Sequence, residues 1–398
     1  MPTTNDYPTS SARAEAAEAE GFQTGRVASV TLAHWMNDTY TSFLAPLLPA
    51  FIAKLALSKT QAGLLAFLQS TPSLLQPVIG HLADRVTLRY FVILAPAVTA
   101  TMMSLLGVAP RYVVLALLVM LAGLSSASLH AVAPAMAGRL SGLKLGRGMG
   151  VWMVGGILGY TLGPIIVVSA VNLLTLEGTP WLMIGGWLAS LVLYLLLKDV
   201  PGRPLEDVQT NSWREGLQAL RPVLPPVVGI TVARGLMVAA AITFLPTFLS
   251  EEGASLLFAG ASVSIVNGAG IVGSVLGGSL SDRLGRRVIV LISTAAPPLL
   301  MFVFLGVAGS ARVPVLLLLG AAMPATQVVL MAVMQENSPD NRALATGLYH
   351  SVAFITEAGA AVAVGALGDL FGLRPAFSIS AVVMLLGLFF VFGLPGKR

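Results

Sequence analysis

Asp38, Arg234 and Glu357 are the charged residues that fall inside the long apolar runs of this 398-residue chain. Three of its four histidines, His34, His130 and His350, fall there as well. Ionisable groups in such surroundings are costly and mark places where protons or substrates pass. His34 and Asp38 stand four residues apart, on one face of a helix, where a carboxylate and an imidazole can exchange a proton; the alternative is a static hydrogen-bonded pair that locks its helix. His350 and Glu357 stand seven apart, again on one face. They fit a proton route, a substrate contact, or a group satisfied by neighbouring helices. Arg234 offers a planar guanidinium suited to carboxylate or phosphonate groups.

The elements that carry these residues follow from composition. Hydrophobic residues make up 56% and charged residues 10%, against about 25% charged in soluble domains. That excludes a single soluble domain and intrinsic disorder. Apolar runs long enough to cross a bilayer recur as six, a polar stretch, and six more. Only helices suit them, since barrel strands would be short and alternating. The expected organisation is a disordered cytoplasmic tail over 1–25, a six-helix half over 26–198, a cytoplasmic linker over 199–221 and a second six-helix half over 222–398. Of the 23 Lys and Arg, seventeen fall in segments on the side of the N-terminus, five on the other side, and Arg234 alone within a run. Positive charge collects in the cytoplasm, so both termini are expected there, in a multi-pass protein of the cell (inner) membrane. No secretory signal is visible, and Cys is 0, which removes disulfides, thiolate metal sites and cysteine nucleophiles.

The halves repeat. Gly80-His81-Leu82-Ala83-Asp84-Arg85 follows the second run and Gly278-Ser279-Leu280-Ser281-Asp282-Arg283-Leu284-Gly285-Arg286-Arg287 follows the eighth, 198 positions later. A half-chain repeat of six helices implies a pseudo-twofold transporter with its substrate site between the halves at mid-membrane. The 198-residue offset places Arg234 on Met36, between His34 and Asp38. It places His350 on Trp152, Glu357 on Gly159, and His130 on Val328, next to Gln327.

The two loops resemble the G-x-x-x-D-R-x-G-R-[KR] signature of the major facilitator superfamily, over roughly 26–395. The resemblance implies an all-α membrane protein: 12 transmembrane helices in two pseudo-twofold-related six-helix halves, functioning as a monomer. It implies that Gly80, Asp84, Arg85, Gly278, Asp282, Arg283 and Arg286 form gating loops. In these, each aspartate accepts hydrogen bonds from a neighbouring helix end and pairs with the adjacent arginine. The alternative is anchoring of helix ends at the lipid headgroups. In this superfamily the first and seventh helices face one another, so Arg234 is expected to pair with Asp38 in one state and to bind an anionic substrate in another, or to form a permanent ion pair with Asp38. The fourth and tenth line the cavity, which suggests a polar floor of His130 and Gln327.

Within the superfamily, His34-Trp35-Met36-Asn37-Asp38, Ser125-Ser126 with His130, and Gln335-Glu336 look like the fosmidomycin-resistance exporters. Gly155, Gly159 and Gly163-Pro164 resemble the Gly-x-x-x-Gly-Pro motif of drug–proton antiporters; their spacing by itself supports close helix packing. The resemblance implies export of a small, anionic, drug-like compound against protons. An importer or uniporter of an organic anion or sugar-like nutrient fits Arg234 equally well. A transition-metal carrier using His34, His130 and His350 is a weaker reading, so no metal site is expected. No phosphate-cradling loop, nucleotide fingerprint or nucleophile–base order is present, so neither an enzyme nor a cofactor is expected. The expected partners are a small-molecule substrate, protons and the lipid bilayer, with no nucleic acid.

Overall fold

The computed structural model describes residues 21–76, 78–79, 89–200, 213–338 and 342–395, which are helical with short connections and contain no strand. The first half comprises α1 (Thr24–Thr41), α2 (Leu44–Leu55), α3 (Lys59–Ser70), α4 (Arg89–Ser104), α5 (Tyr112–Leu140), α6 (Leu145–Leu174) and α7 (Met183–Leu197). A short α8 (Trp213–Leu220) lies in the expected linker. The second half comprises α9 (Leu224–Val238), α10 (Leu245–Glu251), α11 (Leu256–Leu284), α12 (Arg286–Gly306), α13 (Arg312–Glu336), α14 (Arg342–Phe371) and α15 (Leu373–Val391). Ten of the helical segments are long and apolar enough to cross a membrane. The first and second of the twelve expected spans are not among those ten. The first carries His34, Asn37 and Asp38 and breaks at Ser42–Phe43, between α1 and α2. The second runs beyond α3 through a 3₁₀ turn toward residues outside the description.

The first and seventh crossings are both interrupted, at matching places in the repeat. Ser42–Phe43 parts α1 from α2, and a π-helical segment, Ala239–Phe244, joins α9 to α10. The π-helical turn loosens the helix ladder, and such segments often accompany functional sites. Both breaks sit on the wall of the central cavity.

Burial divides by end. One apolar core, with Phe43, Leu47, Phe51, Phe244, Phe248, Phe304 and Phe377, draws on both halves at the end of the bundle remote from the termini. At the terminal end each half keeps its own core. Val30, Ile93, Leu129 and Leu193 belong to one, and Ile230, Val290, Leu330 and Tyr349 to the other. The halves are therefore fused at one end and parted at the other. Large apolar side chains such as Leu173, Trp181, Phe389 and Val275 stay exposed on the outer faces, as a lipid-facing surface requires.

Candidate functional site

The glycines of α6 set the first half of the site. A Cβ at Gly155 would lie 2.6 Å from the Thr31 carbonyl oxygen, one at Gly159 2.7 Å from the Thr39 amide nitrogen, and one at Gly163 2.3 Å from the Thr39 carbonyl oxygen. Only glycine lets α6 lie this close on α1, and Pro164 continues the same helix. Neighbouring Gly156 leaves room for His34, whose Cε1 would stand 2.5 Å from an added Cβ. The stripe thus presses α6 against the face of α1 that carries His34 and Asp38, and brings Trp152 over His34. The two rings stack at 4.0 Å with 15° between their planes.

Asp38 is buried, and its carboxylate is shared. His34 Nε2 lies 3.1 Å from one oxygen, Oδ2. At the other, Oδ1, Asn37 Nδ2 donates at 2.9 Å and His130 Nε2 stands at 3.6 Å. Both imidazoles are oriented from behind: His34 Nδ1 is 2.9 Å from the Trp152 carbonyl oxygen, and His130 Nδ1 is 2.9 Å from that of Ser126. A carbonyl can only accept, so each Nδ1 carries the hydrogen and each Nε2 faces the carboxylate. An imidazole Nε2 facing a carboxylate is attracted to it when a proton lies between the two groups and repelled when none does. Asn37 is fixed in turn by Thr99, which donates to its Oδ1 at 2.9 Å, and it donates to Ser126 Oγ at 3.0 Å. The donor atoms of His34, Asp38 and His130 all lie within 4.8 Å of one another, a spacing that a divalent ion could also bridge.

The second half supplies an ion pair. Arg234 Nη1 on α9 lies 3.1 Å from Glu357 Oε1 on α14. Arg234 is thus paired with Glu357, not with Asp38 as the repeat suggested. The reason is local: at Gly235 the Thr356 methyl would stand 2.6 Å from an added Cβ, so α14 crosses α9 closely enough to bring Glu357 within reach. His130, expected opposite Gln327, turns instead to Asp38 within its own half. Gln327 is half-buried on α13. His350 is half-buried on α14, with its ring 5.9 Å from that of Phe354.

Between the halves lies a cavity of about 260 Å³. Its wall includes Thr41, Ser42, Gln69, Ser126, Tyr160, Asn267, Phe354 and Glu357. Ser126 belongs to this wall and accepts from Asn37, which also donates to Asp38, so Ser126 and Asn37 link the cavity to the carboxylate. Asn267 Nδ2 donates to the Tyr160 carbonyl oxygen at 2.9 Å, tying α11 to α6 across the cavity. Neither Gln327 nor His350 is among the lining residues. Composition and motif reading passed over Trp152 and Tyr160 as site residues; the repeat offset had singled out Trp152 only as the counterpart of His350.

Of the expected gating loops, Gly80, Asp84 and Arg85 lie outside the described residues. In the second, Asp282 pairs with Arg286 at 2.6 Å rather than with adjacent Arg283, and Arg286 also bonds Glu336 at 2.7 Å and the Ser281 hydroxyl. Gly285, at φ 100°, ends α11 and folds Arg286 back over Asp282, four residues earlier. Gly278 and Arg283 lie in the last turns of α11.

The arrangement is that of a membrane transporter: two helical halves, a cavity between them, and ionisable groups at its rim. The family model of the Major Facilitator Superfamily matches residues 30–358, and the chain belongs to that superfamily. It is 28% identical over 372 residues to the uncharacterised MFS-type transporter YfnC of Bacillus subtilis (strain 168), covering 90% of each chain. It is 23% identical over 386 residues to the fosmidomycin resistance protein of Escherichia coli (strain K12), covering 94% of this chain and 93% of that one. Among solved structures it is similar to a bacterial homologue of the human lysosomal transporter Spinster in an inward-facing, occupied conformation. There the TM-score is 0.79 at 15% identity, over 93% of this chain and 96% of the other.

Proposed function

We propose that this protein is a proton-coupled secondary transporter that exports a small drug-like compound in exchange for protons, by alternating access of its two halves. The observation that carries the reading is the buried Asp38 carboxylate, faced by two imidazole Nε2 atoms and linked to the cavity wall through Asn37 and Ser126. Protons held there sense whether the cavity is filled, and such coupling is a reciprocal free energy between two sites. Similarity to the fosmidomycin resistance protein along nearly the whole chain supports the export direction. Loop charge supports termini in the cytoplasm of a cell (inner) membrane protein, and the parted terminal end then opens inward.

A second reading, an importer or uniporter of an organic anion or sugar-like nutrient, draws on one observation. An anion reaches Arg234 only by displacing Glu357, and a displaced carboxylate in a poorly hydrated cavity takes up a proton. Anion and proton would then travel together, which is the sense of symport.

Proteoliposomes with an acidic lumen and a pH-sensitive dye test the exchange. Small amines and fosmidomycin are added outside in turn. Entry of a compound coupled to lumenal alkalinisation, lost in Asp38→Asn while gradient-free counterflow persists, is the expected result. Gradient-driven flux retained in Asp38→Asn, with the protein folded, sinks the assignment of Asp38.

A further inference from the structure

Glu357 is the one charged side chain among the described residues lining the cavity. Its side chain is 33% exposed, whereas that of its partner Arg234 is 5% exposed. A compound entering the cavity therefore meets the carboxylate and not the guanidinium. Arg234 engages Oε1, and among the described residues Oε2 has no hydrogen-bond partner. Tyr160 on α6 and Tyr349 on α14 also feel this carboxylate, and neither carries a formal positive charge.

The rest of the wall is aromatic and hydroxylic. Phe354 precedes Glu357 by three residues and shares its helix face, and it is 36% exposed. Tyr160 approaches from the opposite half and is 44% exposed. Two aromatic residues on the same cavity wall as a carboxylate make an environment that attracts a positive charge, through the negative faces of the rings and the anion that shares the cavity with them. An anion meets the same carboxylate and ring faces as repulsion. We infer that the cavity selects a small organic cation, with Glu357 as its counter-ion and Phe354 and Tyr160 as its walls. This rests on the transporter reading above and names the substrate class of its site. It also replaces the anion suggested by Arg234 in the sequence, because Glu357 stands in front of that guanidinium.

The volume suits a compact amine, since drug-sized pockets begin near about 300 Å³. The sense of the coupling agrees as well. A cation held at Glu357 and protons held at Asp38 are like charges on either side of one cavity wall, so each favours release of the other, which is what exchange requires.

Three isosteric probes test this: 2-phenylethylamine, 2-phenylethanol and phenylacetate. Each is titrated by calorimetry into the full-length protein in detergent, with fosmidomycin as a fourth, anionic probe. The expected ranking places the amine at least tenfold tighter than the alcohol, with phenylacetate and fosmidomycin weaker still. Glu357→Gln brings amine and alcohol within about threefold of one another. Phe354→Leu weakens the amine several-fold without reversing the order. A carboxylate or phosphonate that binds more tightly than the amine overturns the inference, as does an amine no tighter than the alcohol or binding by none of the four. Should Glu357→Gln not fold, the ranking on the unaltered protein decides. Binding in detergent needs no gradient, so this ranking stands or falls separately from proton-coupled flux in vesicles.

Discussion

Arg234 and Glu357 share an ion pair but not an environment. The guanidinium is buried, whereas the carboxylate keeps a third of its side chain open to the cavity. Deleting one member therefore has unequal consequences. Glu357→Gln strands a buried cation and is expected to cost about 3–5 kcal/mol of stability. Arg234→Met leaves a carboxylate that can reach water and is expected to cost about 1–3 kcal/mol. The double variant is expected to be more stable than Glu357→Gln alone. Thermal unfolding in detergent reads all three, and equal costs for the two single variants would show that Glu357 is as buried as its partner in solution. The pairing itself was not legible in the sequence. The i,i+4 relation of His34 and Asp38 was, because one helix sets both positions. Which residue meets Arg234 or His130 depends on how closely neighbouring helices cross, and that is decided by Gly235 against Thr356 and by α6 against α1. The motif reading put Asn37 and Ser126 among the residues of interest, but their role as the link from Asp38 to the cavity needed the fold.

At the scale of the helix, the small-residue face of α6 was visible as Gly155, Gly159 and Gly163, and the surface it packs against was not. That surface is the α1 face that carries His34 and Asp38. Gly159→Ala places a methyl group 2.7 Å from the Thr39 amide nitrogen and 2.8 Å from the Trp35 carbonyl oxygen, both backbone atoms of α1. Overpacking of this kind costs about 1–3 kcal/mol and should push His34 and Asp38 out of register with His130. Gly150→Ala on the same helix meets nothing within 4 Å and is expected to be neutral or to stabilise, by up to about 1 kcal/mol. Unfolding temperatures and gradient-driven flux of the two variants check the contrast; equal behaviour would mean that α1 and α6 separate freely. The twelve apolar runs and the half-chain repeat were likewise legible. The breaks at Ser42–Phe43 and Ala239–Phe244 were not, because apolar periodicity does not distinguish a continuous helix from an interrupted one. A turn between helices adds a pH effect. Glu252, between α10 and α11, accepts from Arg312 at 3.1 Å and Arg374 at 3.2 Å, and these bonds hold its carboxyl below the ordinary glutamate range. A depressed folded-state value means stability that is present above the unfolded value and lost as pH falls through the folded one. The advantage of the unaltered protein over Glu252→Gln in unfolding temperature should therefore shrink below about pH 4.5. An advantage that grows on acidification would refute the pairing.

For the molecule as a whole, the question is what keeps the halves fused at the end remote from the termini. The shared apolar core contributes, and so does a set of polar contacts between α3 and the second half. Asp369, near the end of α14, accepts from the backbone amides of Lys59 at 2.7 Å and Thr60 at 2.9 Å and from the Thr60 hydroxyl at 2.6 Å. It thereby caps the first turn of α3, where partial positive charge collects. Lys59 Nζ adds a pair with Glu251 at 2.9 Å. Gly63 and Gly365 let the two backbones meet, since a Cβ at either would lie 2.2–2.3 Å from a carbonyl oxygen of the opposite helix. All of these contacts cross from one half to the other, so they exist only while this end is shut. The alternating access proposed above requires them to break together, and weakening them should shift the population toward the opposite state without unfolding either half. Asp369→Asn keeps the shape and removes the charge that the amides and the α3 end favour. A loss of about 1–2 kcal/mol from the closed state changes the ratio of states roughly five- to thirtyfold. The chain has no cysteine, so spin labels can be placed on Arg111→Cys and Ala311→Cys, one exposed position per half at this end, with no native thiol to remove. Pulsed electron resonance is expected to give a short distance in the unaltered protein and an added longer one in Asp369→Asn. An unchanged distance distribution would leave the apolar core alone as the latch. In that case Gly365→Ala, which wedges the same two helices apart at the backbone, should produce the longer distance that Asp369→Asn did not.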